Sequence, residues 1–383
     1  MENTQLLTRT IQKNIENKLF KGKIVIIYGA RQTGKTTLVK QILKNHHHKK
    51  SVYLNCDEPD DRFALTNKTS TELKNFIGDN EIVVIDEAQR VENIGLTLKL
   101  LIDNYPNIQI IATGSSSFDL ANKINEPLTE RKYTFRLYPF SLPELTQKFS
   151  PREIDRLLEN YLRFGLYPEI INNPSEAENN LKELANSYLY KDVLQFLGIK
   201  KSDIIYKLLQ AIALQNGNEV SYNELASILQ IDKKTVYHYI LILEQSFIIF
   251  RLNPFSRNLR TELRKLRKIY FYDIGVRNAL INNFNPLNIR NDVGALWENF
   301  LISERIKFLK NNSSSVKNYF WRTHQQQEID YLEEKNQKLS AFEFKWNPKK
   351  AKKQAPKPFR EAYPNTPFKV ITPENYQKFV GLE

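Results

Sequence analysis

The spacing of hydrophobic positions changes several times along the chain, and each change predicts a different element. "IVIIY" (24–28) is a short, unbroken, β-branched run, and after a turn-rich stretch Leu38, Val39, Ile42 and Leu43 fall at helical spacing. Such a run predicts a strand buried on both faces, with a helix behind it. "SVYLNCDE" (51–58), "EIVVIDEAQR" (81–90) and "IQIIATGSSS" (108–117) repeat the apolar run, which predicts at least four strands of a doubly wound parallel sheet. From Pro151 to Gly198 the period is helical. Ser221 then caps a helix containing Leu225, Ile228 and Leu229. "QIDKK" turns, Thr235–Leu243 forms a second helix with Val236, Ile240 and Leu243 inward, and an apolar strand follows. That order is the layout of a helix-turn-helix with a wing. "GALWENFLISERIKFLK" (294–310) puts Trp297, Phe300, Leu301, Ile306 and Leu309 on one helix face. Residues 318–346 alternate in period two and turn at "KNQK", predicting a strand followed by a hairpin.

Composition narrows the class. A chain of 383 residues with 41% hydrophobic content, 22 Phe and 19 Tyr fills more than one packed core. A single cysteine, Cys56, excludes an internal disulfide framework and fits a reducing, cytoplasmic setting. No signal peptide is visible, and no apolar run is long enough to span a bilayer. The net charge of +13 favours a polyanionic partner. The basic residues cluster in "RNLRTELRKLRK" (257–268) and "KWNPKKAKKQAPKPFR" (345–360), so DNA is the expected partner, held mainly through phosphate contacts. In the helix-turn-helix, Lys233, Lys234, Tyr237 and His238 would face the major groove, with few side chains suited to reading bases.

The clearest chemistry is the loop Gly29-Ala30-Arg31-Gln32-Thr33-Gly34-Lys35-Thr36-Thr37 between the first strand and its helix, which fits G-x-x-x-x-G-K-[S/T]. Its glycines let backbone N–H groups close around phosphates, Lys35 can reach the β- and γ-phosphates, and the Thr36 hydroxyl can ligate Mg²⁺. ATP and Mg²⁺ are the expected cofactors. Asp86 and Glu87 end the second apolar run, Asp86 placed for the Mg²⁺ shell and Glu87 for orienting or deprotonating water. Thr113, Ser115 and Ser116 stand where a polar γ-phosphate sensor would, although such hydroxyls also cap helices. The run His46–His48 is a metal candidate without a partner histidine nearby, so a solvated loop is the simpler reading.

Near the C-terminus, Asp330 shares a strand face with Glu328, and Glu343 shares one with Lys345 on the returning strand. Asp330 and Glu343, helped by Glu298, could bind Mg²⁺, while Lys345 positions water or neutralises developing charge.

"GARQTGKTTL", "IDEAQRV", "ATGSSS", "RKYTFRLYPFSLPEL" and "YLRFGLYPEII" together resemble the small bacterial and archaeal AAA-type ATPases that carry a C-terminal domain of unknown function. The resemblance implies an α/β AAA-type P-loop ATPase core (1–150), a helical lid packed on it (151–200), a winged-helix domain (201–290) and a restriction-endonuclease-like PD-(D/E)xK domain (291–383). It also implies that Arg131 is a finger for transition-state charge, acting within a homo-oligomer if it acts in trans. Glu130 stands where that family more often has glycine. The segment "KIYFYDIGVRNAL" (268–280) fits the family as well, with Asp273 expected to hold the turn before Gly275.

Overall fold

The computed structural model describes residues 6–115, 128–188, 202–256, 267–351 and 353–383. Ser116, residues 257–266 of the first basic cluster, Lys352 of the second and the last part of the expected lid lie outside the described residues. The chain divides into two compact units. The first runs through Pro139 and takes in Gln245–Phe247; the second holds Phe140–Ser187, residues 202–244 and Ile248–Glu383.

In the first unit, β1 (Ile24–Tyr28), β2 (Ser51–Asn55), β3 (Ile82–Asp86), β4 (Gln109–Gly114) and β5 (Lys132–Arg136) form a sheet in the order β2-β3-β4-β1-β5. Every pairing is parallel. β1, β3 and β4 are buried along their whole length, as continuous β-branched runs require. Val25, Ile27, Val84 and Ile111 pack with Leu38, Val39 and Ile42 of the helix Lys35–Asn45. All carboxyl ends point to one edge, which gathers the loops after β1, β3 and β4 there.

In the second unit, β6 (Glu219–Val220), β7 (Ile249–Pro254), β8 (Arg267–Phe271), β9 (Lys317–Arg322), β10 (Glu328–Lys335), β11 (Lys338–Phe344) and β12 (Phe368–Ile371) form a mixed sheet in the order β12-β11-β10-β9-β7-β8-β6. β10 and β11 make the expected hairpin, with Lys335 opposite Lys338. Asn336 and Gln337 both take positive φ, 50° and 63°, the backbone of a type I′ turn that matches strand twist. The helix Tyr222–Leu229 is capped by Ser221, and Lys233–Gln245 follows it with Val236, Ile240 and Leu243 fully buried. Ile228 departs from the expected pattern: it is exposed, as is Tyr237.

The helices between Pro151 and Ser187, expected as a helical lid, belong to the second unit. Polar contacts explain the placement. The buried Asp273 carboxylate caps its own helix at Gly275 N and Val276 N and accepts Leu166 N–H at 2.7 Å. Asn278 donates to the carbonyls of Leu162 and Arg163. Asp273 thus holds the turn it was expected to hold, and a second segment besides. Gly165 makes room for it: its φ is +71°, and a Cβ there would lie 2.0 Å from Asp273 Oδ1. Gly165→Ala is therefore expected to cost about 2–4 kcal/mol, from left-handed strain plus overlap. Urea titration should show a lower midpoint at unchanged slope; an unmoved midpoint would count against the tight fit.

Candidate functional site

The first site is the carboxyl edge of the parallel sheet. β1 delivers Gly29 beneath the segment that follows β5, where a Cβ would meet Leu137 O at 2.3 Å. Only glycine fits there. Gln32 and Gly34 take φ of 60° and 91° and curl the loop into the start of the helix. Thr33 is buried, its hydroxyl donating to Ala30 O at 2.7 Å. Arg31 is half-buried, whereas Gln32 and Thr37 are exposed. Lys35, 5% exposed, folds back to donate to the carbonyls of Gly29 (2.9 Å) and Ala30 (3.2 Å). Its ammonium is thus held inside the loop, where phosphate oxygens are expected.

Asp86, 3% exposed, is the polar centre of this edge. Oδ2 accepts the Thr36 hydroxyl at 2.7 Å and the Tyr53 hydroxyl, and Oδ1 accepts the Thr113 hydroxyl. Thr113 Oγ1 in turn accepts Glu87 N–H at 3.1 Å. Glu87 sits at φ 52° and takes a hydrogen bond from Gln89. Burial and the neighbouring Asp86 push the Tyr53 phenol well above its usual range, so it stays a donor. Burial, with Asp61 next, pushes the Cys56 thiol up to about 12, which leaves it unreactive. A hydroxyl and a carboxylate at hydrogen-bond distance beside a phosphate-type loop form the hard oxygen set that suits Mg²⁺. Ser115 is buried at the end of β4.

Arg131 is not part of this edge. β5 pairs with β1 from Ile24–Lys132 to Tyr28–Arg136, so Arg131 precedes β5 at the opposite edge, about 13 Å of strand away. It is bound to Asp103 at 2.6 Å. That position sets it away from the phosphate loop of its own chain. Arg9 was missed. Its buried guanidinium donates to Thr33 O at 2.7 Å and Tyr138 O at 2.6 Å, tying the loop to the segment after β5. No motif signals it.

The second site lies in the second unit. A register shift of β10 against β9 between Ile329 and Leu332 aims Asp330. Asp330 Oδ2 accepts Phe344 N–H at 2.7 Å, and the Lys345 ammonium sits 2.7 Å from Glu343 and 4.0 Å from Asp330. Glu298 arrives from the helix Val293–Asn311. All four anticipated residues therefore converge. Three more join them. Lys268 of β8 donates to Glu298 at 3.0 Å and to Glu328, and the Tyr270 hydroxyl donates to Glu298 at 2.5 Å. Burial, reinforced by Glu298 and Glu343, holds the Asp330 carboxyl well above the usual carboxylate range. Burial opposes the Lys268 charge, but Glu298, Glu328 and Asp330 outweigh it and hold the ammonium above its usual range. Among the described residues, Glu298, Glu328 and Asp330 are the group whose oxygens lie close enough to hold a metal ion, within 4.8 Å of one another. His46, His47 and His48 are not part of any such group. Among the described residues no helix is long and apolar enough to cross a membrane.

Comparison with known proteins gives three family matches along the chain. Residues 21–146 match the AAA domain family model, residues 155–287 match a domain of unknown function (DUF8612), and residues 293–379 match another (DUF4143). An uncharacterized protein of Methanocaldococcus jannaschii is 28% identical over 350 residues, 85% of this chain and 75% of that protein. An uncharacterized protein of Mycobacterium tuberculosis is 25% identical, over 88% of this chain and 73% of its own length. AMPPCP-bound DnaA from Aquifex aeolicus superposes with a TM-score of 0.29 at 18% identity, over 62% of this chain and 86% of that one. The match over residues 21–146, with the parallel sheet and phosphate-type loop found there, supports an AAA-type ATPase core in this chain.

Proposed function

We propose that this protein is an Mg²⁺-dependent ATPase that acts on DNA. The observation carrying the proposal is the convergence of the Thr36, Tyr53 and Thr113 hydroxyls on Asp86 beside the loop that holds Lys35. Lys35 exchanges the carbonyls of Gly29 and Ala30 for β- and γ-phosphate oxygens. Thr36 and Asp86 hold Mg²⁺, which supplies positive charge at those phosphates. Glu87 orients the attacking water, and Thr113 and Ser115 answer to the γ-phosphate. The Glu87 N–H bond to Thr113 links the water-orienting residue to the sensor strand. Arg131 serves a neighbouring copy, and so implies a homo-oligomer.

In this reading Pro151–Gly198 and residues 201–290 are helical and winged-helix segments, and 291–383 is a nuclease-like domain. The exposed Lys233, Lys234, Tyr237 and His238 and the exposed Lys349, Lys350, Lys353 and Lys357 contact phosphates. Asp330 and Glu343 would hold Mg²⁺, which would supply Lewis acidity toward a phosphodiester there, and Lys345 positions water or neutralises developing charge. A second reading, a nucleotide-switched DNA-binding regulator with an inert nuclease-like domain, is favoured by one observation: Glu298 and Glu328 are already ion-paired with Lys268.

Labelled single-stranded, duplex and branched DNA, incubated in Mn²⁺ or Mg²⁺ with and without ATP, separates the two. Strand breaks that vanish in Asp330→Ala support cleavage. DNA bound in a salt-sensitive way but never cut supports the regulator. Absence of salt-sensitive DNA affinity would reject both.

A further inference from the structure

Lys268 is the most completely buried cation of the second site, and its surroundings are specific. β8 is paired through Lys268 with Leu252 on one side and Glu219 on the other, so its backbone is fixed. The side chain is 1% exposed, with Nζ 5.6 Å from the centre of the Phe320 ring. From there the ammonium reaches Glu298 at 3.0 Å and also Glu328. Those two acids are members of the trio whose oxygens lie within 4.8 Å of one another. That span is what one ion would bridge at about 2.0–2.6 Å per bond. The ammonium therefore already holds two of the three acids such an ion would bridge, and a second cation against the same oxygens would meet strong repulsion.

We propose that Lys268 takes the place of one divalent cation: its ammonium holds Glu298 and Glu328, two of the three acids that an ion would bridge together with Asp330, and a metal ion enters there only when the ammonium is removed. The proposal rests on reading these carboxylates as a cation site. Charge agrees with it. Glu298, Glu328, Asp330 and Glu343 face the ammonium groups of Lys268 and Lys345. Arg322, 3.4 Å from Glu328, is matched by Glu219 at 3.2 Å. The net charge that remains, two negative, is what one divalent ion balances. A site of this kind takes one ion where a two-metal clamp would take two. Tyr270, donating to the same Glu298 oxygen as Lys268, keeps that acid turned toward the ammonium.

The test counts Mn²⁺ bound per chain by the loss of free-ion paramagnetic resonance signal, on the full-length protein without nucleotide. Differences between variants cancel any ion held at the phosphate loop. Lys268→Met is expected to bind one ion more than the unaltered protein, and Lys268→Arg the same number. Adding Glu298→Gln and Glu328→Gln to Lys268→Met should remove the extra ion. A folded Lys268→Met protein that binds no extra ion overturns the proposal. If Lys268→Met does not fold, the unaltered protein decides: one ion lost in Asp330→Asn supports the proposal, and two ions overturn it. If Asp330→Asn binds as many ions as the unaltered protein while Lys268→Met still gains one, the underlying metal reading of Asp330 and Glu343 fails and the role of Lys268 stands.

Discussion

Lys35→Ala should lower the rate of ATP hydrolysis by about 10²- to 10³-fold, the loss typical when a fixed donor to developing charge is removed. Nucleotide affinity should fall too, because the ammonium meets phosphate oxygens in the ground state as well as the transition state. The loop itself has reasons to survive the substitution. Its curvature is set by Gly29 under Leu137, by Gln32 and Gly34 at positive φ, and by Arg9 on Thr33 O. Losing Lys35 takes a donor from the Gly29 carbonyl, which water can replace, while the Ala30 carbonyl keeps the Thr33 hydroxyl. Glu87→Gln separates the steps. It keeps the shape and the Thr113 contact, since that contact uses the backbone N–H, so nucleotide should bind at unaltered affinity while phosphate release slows. Phosphate release and fluorescent-nucleotide titration on both variants check this. Hydrolysis preserved in both would remove the ATPase reading.

What could be read in advance follows from how local each signal is. The phosphate loop, its strand and its helix are contiguous, so spacing alone placed Gly29 to Gly34 between β1 and its helix and Lys35 and Thr36 at the helix start. The apposition of Asp330 and Glu343 was legible because a period of two and a two-residue turn at Asn336-Gln337 leave one register. Lys268 and Tyr270 share a strand parity, yet the acids they meet lie 28 to 60 residues onward, and no periodicity encodes such a meeting. Long-range polar contacts likewise moved the helices after Pro151 into the second unit through Asp273 and Asn278. Arg131 looked free to reach phosphate only because its partner, Asp103, comes from the preceding helix.

Lys307→Met should cost about 3–5 kcal/mol of stability, the largest structural loss expected of any single change here, because it strands a buried charge. Glu304 and Lys307, one turn apart, are 1% and 2% exposed and bonded at 2.7 Å. Lys307 also donates to Phe140 O at 3.0 Å, and Glu304 accepts Leu142 N–H at 2.8 Å. Burial raises the Glu304 carboxyl above its usual range, and Lys307 is what pulls it back down. Without the lysine the carboxyl rises further. A raised folded-state value means that the protonated acid is favoured in the native state. Its contribution is fully present below the ordinary carboxyl range of about 4.3 and is lost as pH climbs through the folded value. The gap between Lys307→Met and the unaltered protein should thus be smallest near pH 5 and widen toward pH 8, by at most about 1.4 kcal/mol per pH unit. Glu304→Gln added to Lys307→Met should recover part of the loss and flatten that slope, since the amide carries no charge to strand. Denaturant titrations across the pH range read both effects. A gap that stays constant with pH would mean that Glu304 is not the group stranded, and that packing of the lysine stem accounts for the loss.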